Sequence, residues 1–146
     1  MSKLLILLLF ALVQNLKVDN IEVYDAEKME KLMGNVVALN VKEGDEFYLR
    51  FHVNGSVLRF WKFINFNEIP DSLENFCKDG KAFKTEAIGM GRIPLIGAGA
   101  NHYYKFKALK PSMNEIALKF QKNDGLNHEN SLLVIKINIL PKNETS

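Results

Sequence analysis

From about Leu16 onward, apolar residues recur at every second position in short runs broken by turn residues. Glu46 to Val53 sets Phe47, Leu49 and Phe51 against Tyr48, Arg50 and His52. Asn114 to Gln121 sets Ile116, Leu118 and Phe120 against Glu115, Ala117, Lys119 and Gln121. Further on, Leu133, Ile135, Ile137 and Ile139 alternate with Val134, Lys136 and Asn138. A period of two with one dry face marks a half-buried strand. The same reading predicts strands at Asn35 to Val41, Leu58 to Phe66, Ala82 to Met90, Tyr103 to Ala108 and Lys17 to Tyr24, about seven to eight in all. One short helix is predicted over Asp25 to Met33, with Asp25 as N-cap, Met29, Leu32 and Met33 on one side and Gly34 as the stop. Pro70 to Gly80 and Gly89 to Gly99 read as connections.

Strands with one apolar face each must pack sheet against sheet, so the expected fold is all-β, an immunoglobulin-like antiparallel sandwich. Its connections gather at the two ends, and any function has to be sought there.

Ahead of this domain, Lys3 leads into ten unbroken apolar residues, Leu4 to Val13. That length and flank fit the h-region of a signal peptide and fall short of a bilayer span. The expected division is therefore a signal peptide over 1–15 and one domain over 16–146. The leader implies the secretory pathway, with secretion or delivery to a lysosome, phagosome or other endolysosomal vesicle, and no stable membrane insertion once it is removed. Cys77 is the single cysteine, so stability rests on packing and not on an intrachain disulfide. Asn143-Glu144-Thr145 is a glycosylation acceptor sequence, and Asn54-Gly55-Ser56 is a second.

Charge adds little. The 19 Lys and Arg nearly balance the 17 Asp and Glu, and no block of five or six like charges occurs. The sequence thus offers nucleic acid no basic run, and an anionic membrane none either. Catalytic chemistry is equally thin. Cys77 sits between Phe76 and Lys78 with no thiol-protease signature around it and reads as a small buried thiol. His52, His102 and His128 are too dispersed for metal-ligand spacing. Gly97-Ala98-Gly99 is followed by strand-like residues, not the helix a phosphate-binding loop needs. No enzyme, cofactor or metal is expected.

The order of features does resemble one family. The chagasin-type inhibitors of papain-like cysteine proteases carry a first loop of pattern Asn-Pro-Thr-Thr-Gly with Trp three residues on. Asn54-Gly55-Ser56-Val57-Leu58 and Trp61 stand in that place. The family's second loop, Gly-x-Gly-Gly, is matched by Gly97-Ala98-Gly99-Ala100 except at its last glycine. The third, Arg-Pro-Trp, corresponds by position to Lys122-Asn123-Asp124, where only the basic residue survives. The resemblance spans about Ala38 to Leu140.

It implies a monomeric, reversible and competitive inhibitor whose loops occlude the protease cleft. Residues 54–58 would form the central wedge, 97–100 would meet one wall through the backbone, and 122–124 would touch the other. Trp61 is implied to support the wedge from behind. Gly55 in place of Pro leaves the wedge less preorganised, and Leu58 replaces a glycine that tolerates positive φ. The competing reading is an immunoglobulin-like binding or adhesion module whose end loops have other targets.

Overall fold

Asp19 and Asn20 both adopt positive φ, 54° and 63°, and fold strand β1 (Leu16–Val18) back on β2 (Ile21–Asp25). Asp and Asn are the non-glycine residues that enter this region at least cost. A single predicted strand is therefore a tight hairpin. The computed structural model describes residues 16–53, 59–87, 89–90, 93–94, 99–124 and 129–142. The expected signal peptide and Asn143 lie outside them.

Helix α1 (Ala26–Met33) follows at once. Asp25 caps it by accepting the Lys28 N–H at 3.0 Å, and Gly34, at φ 90°, ends it by donating to the Glu30 carbonyl. Met29 is buried, whereas Leu32 stays partly exposed. Then come β3 (Val36–Lys42), β4 (Glu46–Val53), β5 (Arg59–Phe63), β6 (Leu73–Asn75), β7 (Lys84–Ala87), β8 (Gly89–Met90), β9 (Ile93–Pro94), β10 (Ala100–Ala108), β11 (Ile116–Asp124) and β12 (Glu129–Leu140). The strands outnumber the seven to eight expected because short ladders form inside segments that read as connections. β6 lies within Pro70 to Gly80, where Leu73 and Cys77 are buried.

Two sheets face each other. Sheet A runs β1-β2-β4-β10, and the far edge of β10 is shared by β6 and β7. Sheet B runs β3-β12-β11-β5. Most neighbours are antiparallel, but β2 with β4 and β3 with β12 are parallel pairs. Both arise because α1 turns the chain back as it carries it from sheet A to sheet B, so β2 and β4 run toward the Val53 end while β3 and β12 run away from it.

The core is the sum of the dry faces. Phe51 lies 4.4 Å from Phe120 between ring centroids, and Phe63 stacks on Phe120 at 4.8 Å. Burial of each such ring contributes about 2–3 kcal/mol. A second, smaller cluster occupies the outer face of sheet A. There Val23, Tyr48 and Tyr103 are buried under Leu16, Val18 and Ile21, because the β1–β2 hairpin curls over that face. Lys84 reaches across the Tyr103 ring to Asp19 at 3.3 Å and ties the curl down. No helix among the described residues is long and apolar enough to cross a membrane.

Candidate functional site: the loop end of the sandwich

The strand register brings three loop bases to one end. In sheet A, Val53 closes β4 opposite Ala100, which opens β10. Residues 54–58 therefore leave the sheet beside the point where 95–99 enters it. In sheet B, Arg59 opens β5 opposite Asp124, which closes β11, and Asp124 pairs with Glu129 at the start of β12. β11 thus ends, and β12 begins, at the same end. Ala87 also pairs with Ala100, so the segment carrying the small β8–β9 ladder starts there too.

Of the first predicted loop, Asn54, Gly55, Ser56, Val57 and Leu58 lie outside the described residues, as do Gly97 and Ala98 of the second. Gly99 and Ala100 are described. Gly99 holds φ at 84°, and a Cβ there would overlap the Val53 carbonyl oxygen. The small residue that sequence reading reserves for a partner chain is required by the protein's own backbone. It fastens the second loop to the base of the first.

The third predicted loop is displaced. Lys122, Asn123 and Asp124 are the last residues of β11, paired on one side with Trp61, Phe60 and Arg59 and on the other with Ser131, Asn130 and Glu129. They extend the ladder, and residues 125–128 lie outside the described ones. Lys122 follows Phe120 on the inward-facing side. Its ammonium sits 5.5 Å from the centroid of the Trp61 ring and 3.9 Å from Glu30 Oε1. A long apolar stem lets a charged residue end a dry face in this way.

Trp61 is 4% exposed and packs 5.0 Å from Phe51 between centroids. Its indole N–H is buried with no acceptor among the described residues. The ring forms part of a cleft of ≈ 670 Å³ between β5 and the β7–β10 edge, where Thr85, His102 and Tyr104 also contribute. Burial lowers the His102 pKa, favouring the neutral imidazole. Burial, with the nearby Cys77 thiol, pushes the Tyr104 hydroxyl up to about 12.

Sequence reasoning missed the brace that holds this end. Asp25 accepts a 2.6 Å bond from Arg50, Glu27 accepts the His52 N–H at 2.8 Å, and Glu30 meets Lys122. Three carboxylates of one short helical segment thereby reach β4 of sheet A and β11 of sheet B, just below the loops. Asp25 at the cap and Glu27 in the first turn are expected from capping and the helix dipole alone, and Glu30 is one more polar position on the helix, so nothing local distinguishes these. Among the described residues no cluster of His, Cys, Asp or Glu could hold a metal ion.

No family model matches the sequence, and no curated protein does. The crystal structure of a cysteine protease inhibitor from Entamoeba histolytica superposes with a TM-score of 0.52 at 13% identity, covering 81% of this chain and 94% of its own. The fold is that of the chagasin-type inhibitors. At this identity the likeness is one of fold. Amebosin overlaps the chagasin-type sandwich more loosely, at a TM-score of 0.45 and 14% identity over 70% of this chain and 88% of its own. PbICP-C in complex with falcipain-2 gives 0.41 and 14% over 86% and 98%.

Proposed function

We propose that the protein is a reversible, competitive inhibitor of papain-like cysteine proteases, acting as a monomer through the loop end of its sandwich. The observation that carries the reading is the register. Val53 with Ala100, and Arg59 with Asp124 and Glu129, root 54–58, 95–99 and 125–128 at one end. Three loops on a rigid two-sheet base suit a groove with a reactive thiolate at its floor, since they fill it without presenting a cleavable bond in register. The fold shared with a cysteine protease inhibitor supports the same reading.

Residues 54–58 form the central wedge in this proposal, and 97–100 meet one wall. The contact with the other wall moves from Lys122–Asp124 to residues 125–128, because those three residues are committed to the ladder. The leader places the inhibitor in the secretory pathway, secreted or held in an endolysosomal vesicle. Asn143 is free to carry a glycan, while Asn54 must remain bare for the wedge to enter a cleft.

The test is a titration against several papain-like proteases in a continuous peptide-cleavage assay, beside a variant with 54–58 replaced by a plain turn. Inhibition that rises in KM without loss of kcat, and weakens in the variant, is the expected result. Unchanged proteolysis at micromolar inhibitor across all of them would leave the binding-module reading in its place. High glycan occupancy at Asn54, found by mass spectrometry of natively secreted material, would count against the wedge.

A further inference from the structure

The outer face of sheet B gathers charges that the sequence scatters. Lys42 on β3, Lys62 on β5, Lys119 on β11 and Lys136 on β12 all lie at outward positions of the register. None has a carboxylate within ion-pair distance among the described residues, and no Asp or Glu occupies any described outward position of the four strands. Sheet A differs in kind, since Lys84, Lys105 and Arg50 on its outer face each meet a carboxylate. The chain's net charge is only +2, so with four lysines on one face the remainder of the molecule is net acidic.

Apolar side chains are interleaved with these lysines. Phe60, Ile64, Val36 and Leu132 are between 39% and 49% exposed, and they are four of the eight large apolar residues exposed on the described surface. One row crosses the whole sheet, from Ile64 beside Lys119 to Val134 and Val36. Charge and apolar surface are thus mixed on one sheet face.

We propose that this face docks on an anionic lipid bilayer. Its chemistry favours lipid over an acidic protein. Tight protein interfaces are depleted in Lys and anchored by Trp, Tyr or Arg, and none of those three types occupies a described outward position here. Lysines acting as point charges above a headgroup layer, with short apolar side chains between them, match a surface that asks for no fixed geometry. The absence of a long run of like charge, which argues against such a partner in the linear sequence, does not apply once four strands bring separate lysines together. The loops project from the end of the sandwich and not from this face, so docking leaves them free. The inference does not depend on what they bind.

Co-sedimentation with unilamellar vesicles tests it, using protein secreted through its own leader. Vesicles of phosphatidylcholine with about 30 mole per cent phosphatidylserine should retain the protein at low salt, and pure phosphatidylcholine should not. Lys62→Gln with Lys136→Gln should weaken retention by about twenty- to thirty-fold, at roughly fivefold per lysine. Lys31→Gln with Lys78→Gln, an equal loss of charge elsewhere, should leave it unchanged. Equal binding to both vesicle types, or equal weakening by the two double variants, overturns the proposal. So does retention on soluble polyglutamate with none on vesicles, which would assign the face to an acidic protein. Unchanged melting temperatures establish that the variants fold.

Discussion

Gly99 passes so close to the carbonyl oxygen of Val53 that a Cβ on it would overlap that atom. The two residues stand at the bases of neighbouring loops, so the loops share one backbone contact. Gly99→Ala meets both this overlap and the cost of a side chain at φ 84°. Chemical denaturation should show a loss of roughly 2 kcal/mol or more. Inhibition of a papain-like protease should weaken further than that loss explains at temperatures where the variant stays folded.

Trp61 and Lys122 separate packing from charge. Trp61→Ala empties a large buried site and should cost about 3–5 kcal/mol. Trp61→Phe should cost much less, because the buried indole N–H has no acceptor among the described residues and its removal leaves none of them unpaired. Lys122→Met keeps the stem over the ring and removes a part-exposed ion pair with Glu30, a change of about 1 kcal/mol or less. A double-mutant cycle with Glu30→Gln measures that coupling. A value well above it would mean that the charge, not the stem, secures this end.

Asn65 extends β5 with its side chain. It donates to the Ala117 carbonyl at 2.7 Å and accepts the Lys119 N–H at 2.8 Å, and it is the only buried polar residue among those described. Asn65→Ala leaves two β11 backbone groups without partners and should destabilise by about 2–4 kcal/mol. The position lies at the far end of β5 from the loops. Inhibition constants measured below the melting transition should therefore stay close to those of the parent.

His102 makes stability depend on pH. Burial lowers its folded pKa below the ordinary value of 6.5, so between those two values the unfolded chain binds the extra proton. Nothing is lost above that ordinary value. As pH falls below it a destabilising contribution grows, and it levels off beneath the folded pKa. Lys62, Asp79 and Lys81 are the charged groups that share the cleft. Melting curves from pH 7 to 5 should fall less steeply for His102→Gln than for the parent; parallel curves would remove His102 as the cause.

Cys77 should be inert. It is 3% exposed, and burial raises its thiol to about 11. A thiol-reactive chromogenic disulfide at pH 8 should leave the native protein unmodified and label one equivalent in guanidinium. Rapid native labelling would show that the connection between β6 and β7 opens readily.

Legibility in the sequence followed the range of the interactions. β4, β11 and β12 are readable because one face of each is dry over several residues, and α1 because cap and stop are local. β6 and the burial of Cys77 are not, since a three-residue ladder against β10 leaves no period. Tyr48 reads as outward-facing and is, yet it is buried together with Tyr103 by a hairpin whose curl no local signal announces. That Lys122 to Asp124 continue β11 is not readable either, since Glu30, far away in sequence, accommodates the lysine at the end of the dry face.

The parallel pairing of β3 with β12 has a consequence for how the molecule is made. Asn40 and Asn138, opposite one another in this pair, are separated by 98 residues. Until β12 has emerged from the ribosome, β3 has no neighbour and β11 has only β5. Contacts this distant in the chain form late. Sheet B therefore completes itself only once β12 is made, so β3 and β11 wait with open ladder edges while the intervening chain is being synthesised.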